Sequence, residues 1–330
     1  MEFIIESLLT PLGFFSDPNR RLYWVYLLFS LFVFLFFVFK KNIYCEIKSK
    51  AMLNKDSLWL DVKLWLFNSV IRSFVGLFAF ISLSATVLLF VKFLYIMLPH
   101  WSPLQINYTI VTVFLTFVSF VVFDFLRFFQ HYLMHKVSFL WHFHQVHHSA
   151  TYLTPITLYR MHPVENLISA FRRIGGQTFV FGSFMFIFGS SVNVYDIIGV
   201  NAISFVANFA LSNLRHSPLP ISFGLLEKVF ISPAQHQLHH SSNPKLTHSN
   251  YGVVLSLWDK LWGTLVLYNK QDIKYGVKNL HLQNQGFYHQ LITPFSLCLQ
   301  QYKSFAPNLK SFIRYPFNLI AKTGENIHEV

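Results

Sequence analysis

Three apolar runs constrain this chain more than any other feature: residues 22–39, 73–91 and 106–123. As a helix rising about 1.5 Å per residue, the first is roughly 27 Å long, close to the hydrocarbon thickness of a bilayer. Lipid offers no partner to a bare backbone amide, so continuous apolar runs of this length read as spanning helices. Composition agrees, because 12% of the 330 residues are charged, about half the roughly 25% of a soluble domain. Two shorter stretches, 178–188 and 194–211, flank Gly189, Ser190 and Ser191 and read as a helical hairpin that enters the membrane and returns. The expected fold class is all-α, a multi-span helical membrane protein.

Charge sets the orientation. Lys40, Lys41, Lys48, Lys50, Lys55, Lys63 and Arg72 lie between the first two runs, and only Lys92 lies in 92–105. By the positive-inside rule, 40–72 is cytoplasmic, and so are the segment after the third run and residues 214–330. The net charge of +12 then reflects topology and anionic headgroups, not nucleic acid. Glu2, Glu6 and Asp17 break the charged-then-apolar order of a secretory signal. Two cysteines, Cys45 and Cys298, exclude a disulfide scaffold and any cysteine-based zinc or iron–sulfur site.

The sixteen histidines carry the chemistry. His131 and His135 are four residues apart, on one face of a helix leaving the bilayer. His144, His147 and His148 form an HxxHH box, and His236, His239 and His240 repeat it. Positions i, i+3 and i+4 are helical neighbours, so three nitrogens can converge from one turn. Ser232 and Pro233 precede the last box as an N-cap and a first-turn proline. A single histidine is usually a surface or core residue, but the duplicated spacing points to metal. So many imidazoles suit two ions, and imidazole suits zinc, copper, iron and nickel. His216 and His162 are further candidate ligands, with Arg160 and Glu165 as an alternative structural ion pair around His162. His142 and His248 are weaker candidates; His100, His281, His289 and His328 are background. Neutral ligands leave the metal charge uncompensated, so a carboxylate should accept the second N–H of a ligand ring. Asp124, seven residues before His131, is the expected one.

The ordered series of motifs resembles the fatty acid hydroxylase / sterol desaturase superfamily of integral-membrane di-iron oxygenases. It runs Asp124, His131-x3-His135, Leu140-Trp141, His144-x2-His147-His148-Ser149, Thr154-Pro155 and Tyr159-Arg160-x-His162-Pro163. It continues through Leu214-Arg215-His216-Ser217, Ile231-Ser232-Pro233, His236-x2-His239-His240-Ser241, Asn250-Tyr251-Gly252, Leu257-Trp258-Asp259 and Gly263-Thr264. The likeness covers about residues 115–265. Some sterol-desaturase-like members carry a second histidine just after the one matching His216, where this chain has Pro218. The resemblance implies a cytoplasmic cap of histidine-bearing helices holding two iron ions over a membrane-embedded substrate tunnel. Zinc could replace iron on purification. It divides the chain into an N-terminal membrane anchor with two spans (1–110), a catalytic domain (111–265) and a C-terminal cytoplasmic tail (266–330).

The implied reaction uses O2 as co-substrate and external electrons to hydroxylate or desaturate a C–H bond of a membrane lipid, sterol-like or an acyl or alkyl chain. Cleavage of an alkylglycerol ether is the alternative. No haem signature, dinucleotide fingerprint or iron–sulfur cysteine is present in the sequence, so electrons must come from a separate donor, a cytochrome b5-like protein or a ferredoxin with its reductase. A metal transporter would place ligands inside its spans, and the three long runs contain no histidine. A non-catalytic metal- or lipid-binding membrane protein would be expected to lose box histidines, and none of the eight is missing.

Overall fold

The structure is a computed structural model that describes residues 13, 15–17, 22–189, 213–277 and 285–304, without the side chains of 73–82. The second hairpin arm at 194–211, Ser190, Ser191 and the chain beyond 304 lie outside the described residues. The described residues are helical, and their β-pairing is limited to two isolated bridges, Phe230 with Leu255 and Ser241 with Tyr275. The elements are α1 (Trp24–Lys41), α2 (Tyr44–Leu53), α3 (Lys55–Met97), α4 (Tyr108–Lys136), α5 (Ser138–His148) and α6 (Pro163–Phe188). Four short helices follow: α7 (Asn213–Arg215), α8 (Pro233–His239), α9 (Pro244–Thr247) and α10 (Leu257–Trp262). Residues 287–304 form a last helix.

α1 and α4 are each long and apolar enough to cross a membrane. Their large side chains face outward: Phe32 is 68% exposed, Phe39 76% and Phe117 62%. Such surface suits lipid and not water. Lys40 and Lys41 close α1 where the helix dipole favours cations, and Asn42 in the left-handed region (φ 50°) ends it.

The basic segment 40–72 is not a loop. It folds as α2 and the first eighteen residues of α3, a single 43-residue helix that runs on through the second apolar run. No proline or glycine interrupts α3 before Gly76, so nothing breaks the backbone between its polar and apolar halves.

α3 and α6 run side by side in the same direction. Asn68 meets Met161 and Asn166, Thr86 meets Thr178 and Tyr95 meets Phe186. α4 packs antiparallel to α6 around Val111, Leu115, Val180, Phe181, Phe184 and Phe188. In lipid, close approach and not hydrophobicity favours such pairs. A Cβ on Gly182 would come within 2.6 Å of the Phe90 ring, and one on Gly176 within 2.6 Å of Leu126 Cδ1.

Above these helices Leu60, Leu64, Val146 and Val277 form a second cluster that seats α5 on the polar half of α3. Leu64 is fully buried, and a side chain of its size contributes about 2 kcal/mol by burial. A buried ion pair locks the same interface. Arg160 Nη1 lies 2.9 Å from Asp61 Oδ1, and its Nε and Nη2 donate to Ser149 Oγ. Asp61 also accepts from Thr157 Oγ1. Burial pushes the Asp61 carboxyl up while the Arg160 charge opposes that shift.

Candidate metal centre

Nine histidines from four segments meet in two adjoining groups. The first holds His131, His135, His144, His148 and His239; the second holds His147, His216, His236 and His240. Within each group the ligand atoms lie within 4.8 Å of one another. All sit where α4 gives way to α5 and α8 packs against both.

The two HxxHH boxes do not deliver three nitrogens to one point. On a helix, i+4 is rotated about 40° from i and i+3 about 60° the other way, so i+3 diverges from its partners. His144 and His148 therefore enter the first group and His147 the second. The later box does the reverse: His236 and His240 enter the second group and His239 the first. Each box lends one ring to the other's group. The His148 and His240 rings stack across the seam, centroids 4.5 Å apart and 21° from parallel.

Local sequence explains how α8 presents its rings. Ser232 Oγ accepts from Gln235 N while the Gln235 side chain accepts from Ser232 N, a reciprocal cap ahead of Pro233. The N-cap expected from Ser232 and Pro233 is present, and its Ser232 Oγ also donates to the buried Glu227 carboxylate.

Ring orientation comes from the backbone and one acid. A carbonyl can only accept, so each ring nitrogen facing one carries the proton. His131 Nδ1 donates to Tyr251 O at 2.9 Å, His239 Nδ1 to Ser249 O at 2.7 Å and His147 Nδ1 to Arg160 O at 3.3 Å. His144 Nδ1 lies 2.9 Å from Glu165 Oε1. In each case Nε2 keeps its lone pair. The Nε2 atoms of His144 and His239 are buried with no hydrogen-bond partner, and both ring nitrogens of His135 and His148 are in the same condition.

In the second group, His216 Nε2 stands 3.3 Å from His147 Nε2 and 3.1 Å from those of His236 and His240, which are 3.2 Å apart. One proton on His216 could bridge to only one neighbour. A cation at about 2.0–2.1 Å from each nitrogen would set tetrahedral edges of about 3.3 Å. The donor set therefore fits a metal ion in each group.

Electrostatics agree. Burial pushes His144 and His147 down to about 3, and holds His148, His236, His239 and His240 well below the ordinary imidazole value. These rings are neutral at pH 7, with lone pairs ready for a cation. The Glu165 carboxyl is pushed up by burial, a shift opposed by the histidines around it and by Arg72.

Three expected roles fall elsewhere. His162 joins neither group: its Nδ1 accepts from Val164 N as the N-cap of α6, and its Nε2 donates to Leu291 O. Arg160 and Glu165 do not pair, because Arg160 turns to Asp61 and Glu165 to His144. Asp124 hydrogen-bonds to no histidine ring among the described residues. Its two oxygens accept from Val254 N, Leu255 N and Trp258 Nε1. It fastens the loop that supplies the Ser249 and Tyr251 carbonyls. Asp259 completes that loop, accepting from Tyr251 N, Gly252 N and Thr264 Oγ1. His142 pairs with Gln301 at 2.8 Å, and His248 lies edge-on to His135 and tilted to Trp141 without entering a group.

Glu165 as a partner of His144, and the Tyr251, Ser249 and Arg160 carbonyls, are the functional parts that sequence reasoning missed. Asn250-Tyr251-Gly252 and Leu257-Trp258-Asp259 stood in the motif series, but spacing assigned them no role. Only the fold brings Tyr251 to His131, 120 positions away.

Comparison with known proteins matches residues 116–264 to the fatty acid hydroxylase family. The chain is 29% identical to alkylglycerol monooxygenase of Xenopus tropicalis over 160 residues, 48% of this chain and 32% of that protein. It is 28% identical to alkylglycerol monooxygenase of Homo sapiens over 159 residues, 48% and 32% respectively. It is 31% identical to ornithine lipid hydroxylase OlsE of Rhizobium tropici over 144 residues, 44% and 39% respectively. The chain thus spans well under half the length of these curated relatives. No solved structure matches it. The histidine series, its two-group geometry and these matches agree, and together they support the fatty acid hydroxylase / sterol desaturase superfamily for the region 116–264.

Proposed function

We propose that this chain is a multi-pass membrane monooxygenase that holds two iron ions in its histidine groups and uses O2 to hydroxylate a lipid. The observation that carries this reading is the pair of buried histidine groups, the first with the Nε2 atoms of His135, His144, His148 and His239 unpartnered and the second with four Nε2 atoms facing one another. Iron and O2 supply the oxidising power that no side chain has. The protein's part is placement. Glu165 and the Tyr251, Ser249 and Arg160 carbonyls hold four rings in the tautomer that leaves Nε2 free. Burial keeps the rings neutral and water away. The relatives' names favour oxygen insertion over desaturation, and ether lipids are the first substrates to test.

The basic run between Lys40 and Arg72 supports a cytoplasmic placement of the histidine groups. A separate donor, a cytochrome b5-like protein or a ferredoxin with its reductase, delivers the electrons there.

The test is metal content by elemental analysis of detergent-purified protein beside His239→Ala. Two ions per chain, with one lost in the variant, would support the dinuclear reading. Substoichiometric metal after an iron-replete preparation would sink it in favour of a non-catalytic lipid-binding protein.

A further inference from the structure

Two adjoining segments turn their leucines outward and their acids inward, the reverse of a water-facing surface. Residues Gly224–Lys228 form a short 3-10 turn in which Leu225 is 80% exposed, with Leu226, Val229 and Phe230 exposed beside it. On α10, Leu261 is 72% exposed and Leu257, one turn earlier, is exposed as well. The acids of the two segments, Glu227 and Asp259, are buried. Glu227 accepts from Ser222 Oγ, Ser232 Oγ and Tyr268 N, and Asp259 from Tyr251 N and Gly252 N. The segments lie side by side, because Ser256 N donates to Val229 O and Ile231 N to Val254 O around the Phe230–Leu255 bridge.

Their level on the molecule is set by α4. Asp124 is the first residue past the apolar run 106–123, and it accepts from Trp258 Nε1 at 3.0 Å. The Trp258 ring packs on Phe125 and the Trp262 ring on Phe128, with centroids 5.2 and 5.3 Å apart. α10 therefore sits where the apolar run ends, the depth at which tryptophan concentrates in membrane proteins. The exposed charges of the two segments, Lys228 and Lys260, are both cations, and cations at this level suit anionic headgroups. An exposed apolar patch marks an interaction surface. Leucine and tryptophan on a short element with a lysine edge, level with the end of a span, match the interface of a bilayer.

We infer that the Gly224–Lys228 turn and α10 dip together into the headgroup layer at the histidine end of α4, where Lys228 and Lys260 meet anionic lipid. The occupant of this face is the lipid surface. It gives the histidine groups a second hold on the bilayer, one that does not span it. The hold reaches the metal centre from two sides. Glu227 ties the turn to Ser232, the cap of α8, and Asp259 ties α10 to the loop that orients His131 and His239. His131, seven residues past Asp124 on α4, then stands about 10 Å above the docked face. The inference rests on the membrane reading and goes beyond it.

The test is site-specific fluorescence quenching of the full chain in nanodiscs of phosphatidylcholine and phosphatidylserine. A Cys45→Ser background removes the exposed native thiol. A fluorescent label at Leu225→Cys or Leu261→Cys is exposed to lipid nitroxides, placed near the headgroup or near the chain end, and to aqueous iodide. Lys245→Cys on α9 is the water-side control, and Phe117→Cys within the apolar run of α4 is the hydrocarbon control. The labels at Leu225→Cys and Leu261→Cys should be quenched most by the headgroup-level nitroxide. Burial of a single leucine favours docking about tenfold or more, so iodide should reach them at most about one-tenth as well as it reaches Lys245→Cys. Omitting phosphatidylserine should raise iodide access, and Lys228→Gln with Lys260→Gln should make that access independent of the lipid. Leu226→Asp with Leu257→Asp should expose both labels to iodide and leave metal content unchanged; if this pair does not fold, the lysine pair makes the same test. Iodide quenching equal to that at Lys245→Cys would overturn the inference. So would shielding from both quenchers with disulfide cross-linking between Leu261→Cys chains, which would make the face a contact between two copies. Absence of chain-end nitroxide quenching at Phe117→Cys would overturn the membrane reading beneath it.

Discussion

Glu165 gives the sharpest prediction. Its Oε1 is 2.9 Å from His144 Nδ1 and both side chains are buried. Glutamine at this position keeps an acceptor for the Nδ1 proton but removes the negative charge behind the ring. Partners of this kind are worth about 10–100-fold in metal affinity, or roughly 1.4–2.7 kcal/mol. Alanine also strands the Nδ1–H in a buried site, adding about 1–3 kcal/mol. The assay is Co(II) titration of metal-free protein in detergent, followed by its visible absorption. The second group is the internal control, because Glu165 hydrogen-bonds to none of its four rings. The expected order is wild type, then Glu165→Gln, then Glu165→Ala at the first group, with a smaller change at the second, whose His147 feels the Glu165 charge without a hydrogen bond. Equal weakening of both groups, or of neither, would refute the argument that this carboxylate acts through His144.

Acid should destabilise the metal-free protein. His144 and His147 titrate near 3 when folded against about 6.5 unfolded. The unfolded chain alone binds these protons in that window, so stability is complete above about 6.5 and lost as pH falls toward 3. The two rings together account for about 3 kcal/mol at pH 5.5, and equal melting temperatures at pH 7.5 and 5.5 would argue against buried neutral rings. His162→Ala should cost about 1 kcal/mol as a lost helix cap and leave metal stoichiometry intact; a missing ion would return His162 to the ligand set. Asp124→Ala removes the acceptor of three donors and should cost at least about 3 kcal/mol in thermal unfolding, whereas a change in metal affinity alone would mean that Asp124 acts directly on a ligand.

Local spacing made part of this legible. The i, i+4 pair at His131, the repeated HxxHH box and the Ser232 cap depend on residues within one or two turns, and helix geometry fixes their relations. Glu165 and Asp124 were less accessible for a common reason. Both are acids near histidines in sequence, and periodicity does not say which long-range partner each one meets. Asp124 was one helical face from His131, but its oxygens face a loop 130 residues away. Glu165 looked tied to Arg160, yet Arg160 answers Asp61, an acid in a segment that charge counting had read as a cytoplasmic connection. The division of each box between two groups follows from the 100° step per residue, and becomes visible only once two boxes face each other.

The exchange of one ring between the boxes has a consequence for biogenesis. A nascent chain that has emerged through α5 carries five of the nine histidines but can complete neither group, since His239 closes the first and His216, His236 and His240 make most of the second. Closure of both groups must therefore wait until about ninety further residues have been synthesised and α8 has docked. Until then the apolar helices α1 and α4 are already made while the imidazoles beside them remain open to solvent, to protons and to whatever other cations the surroundings offer.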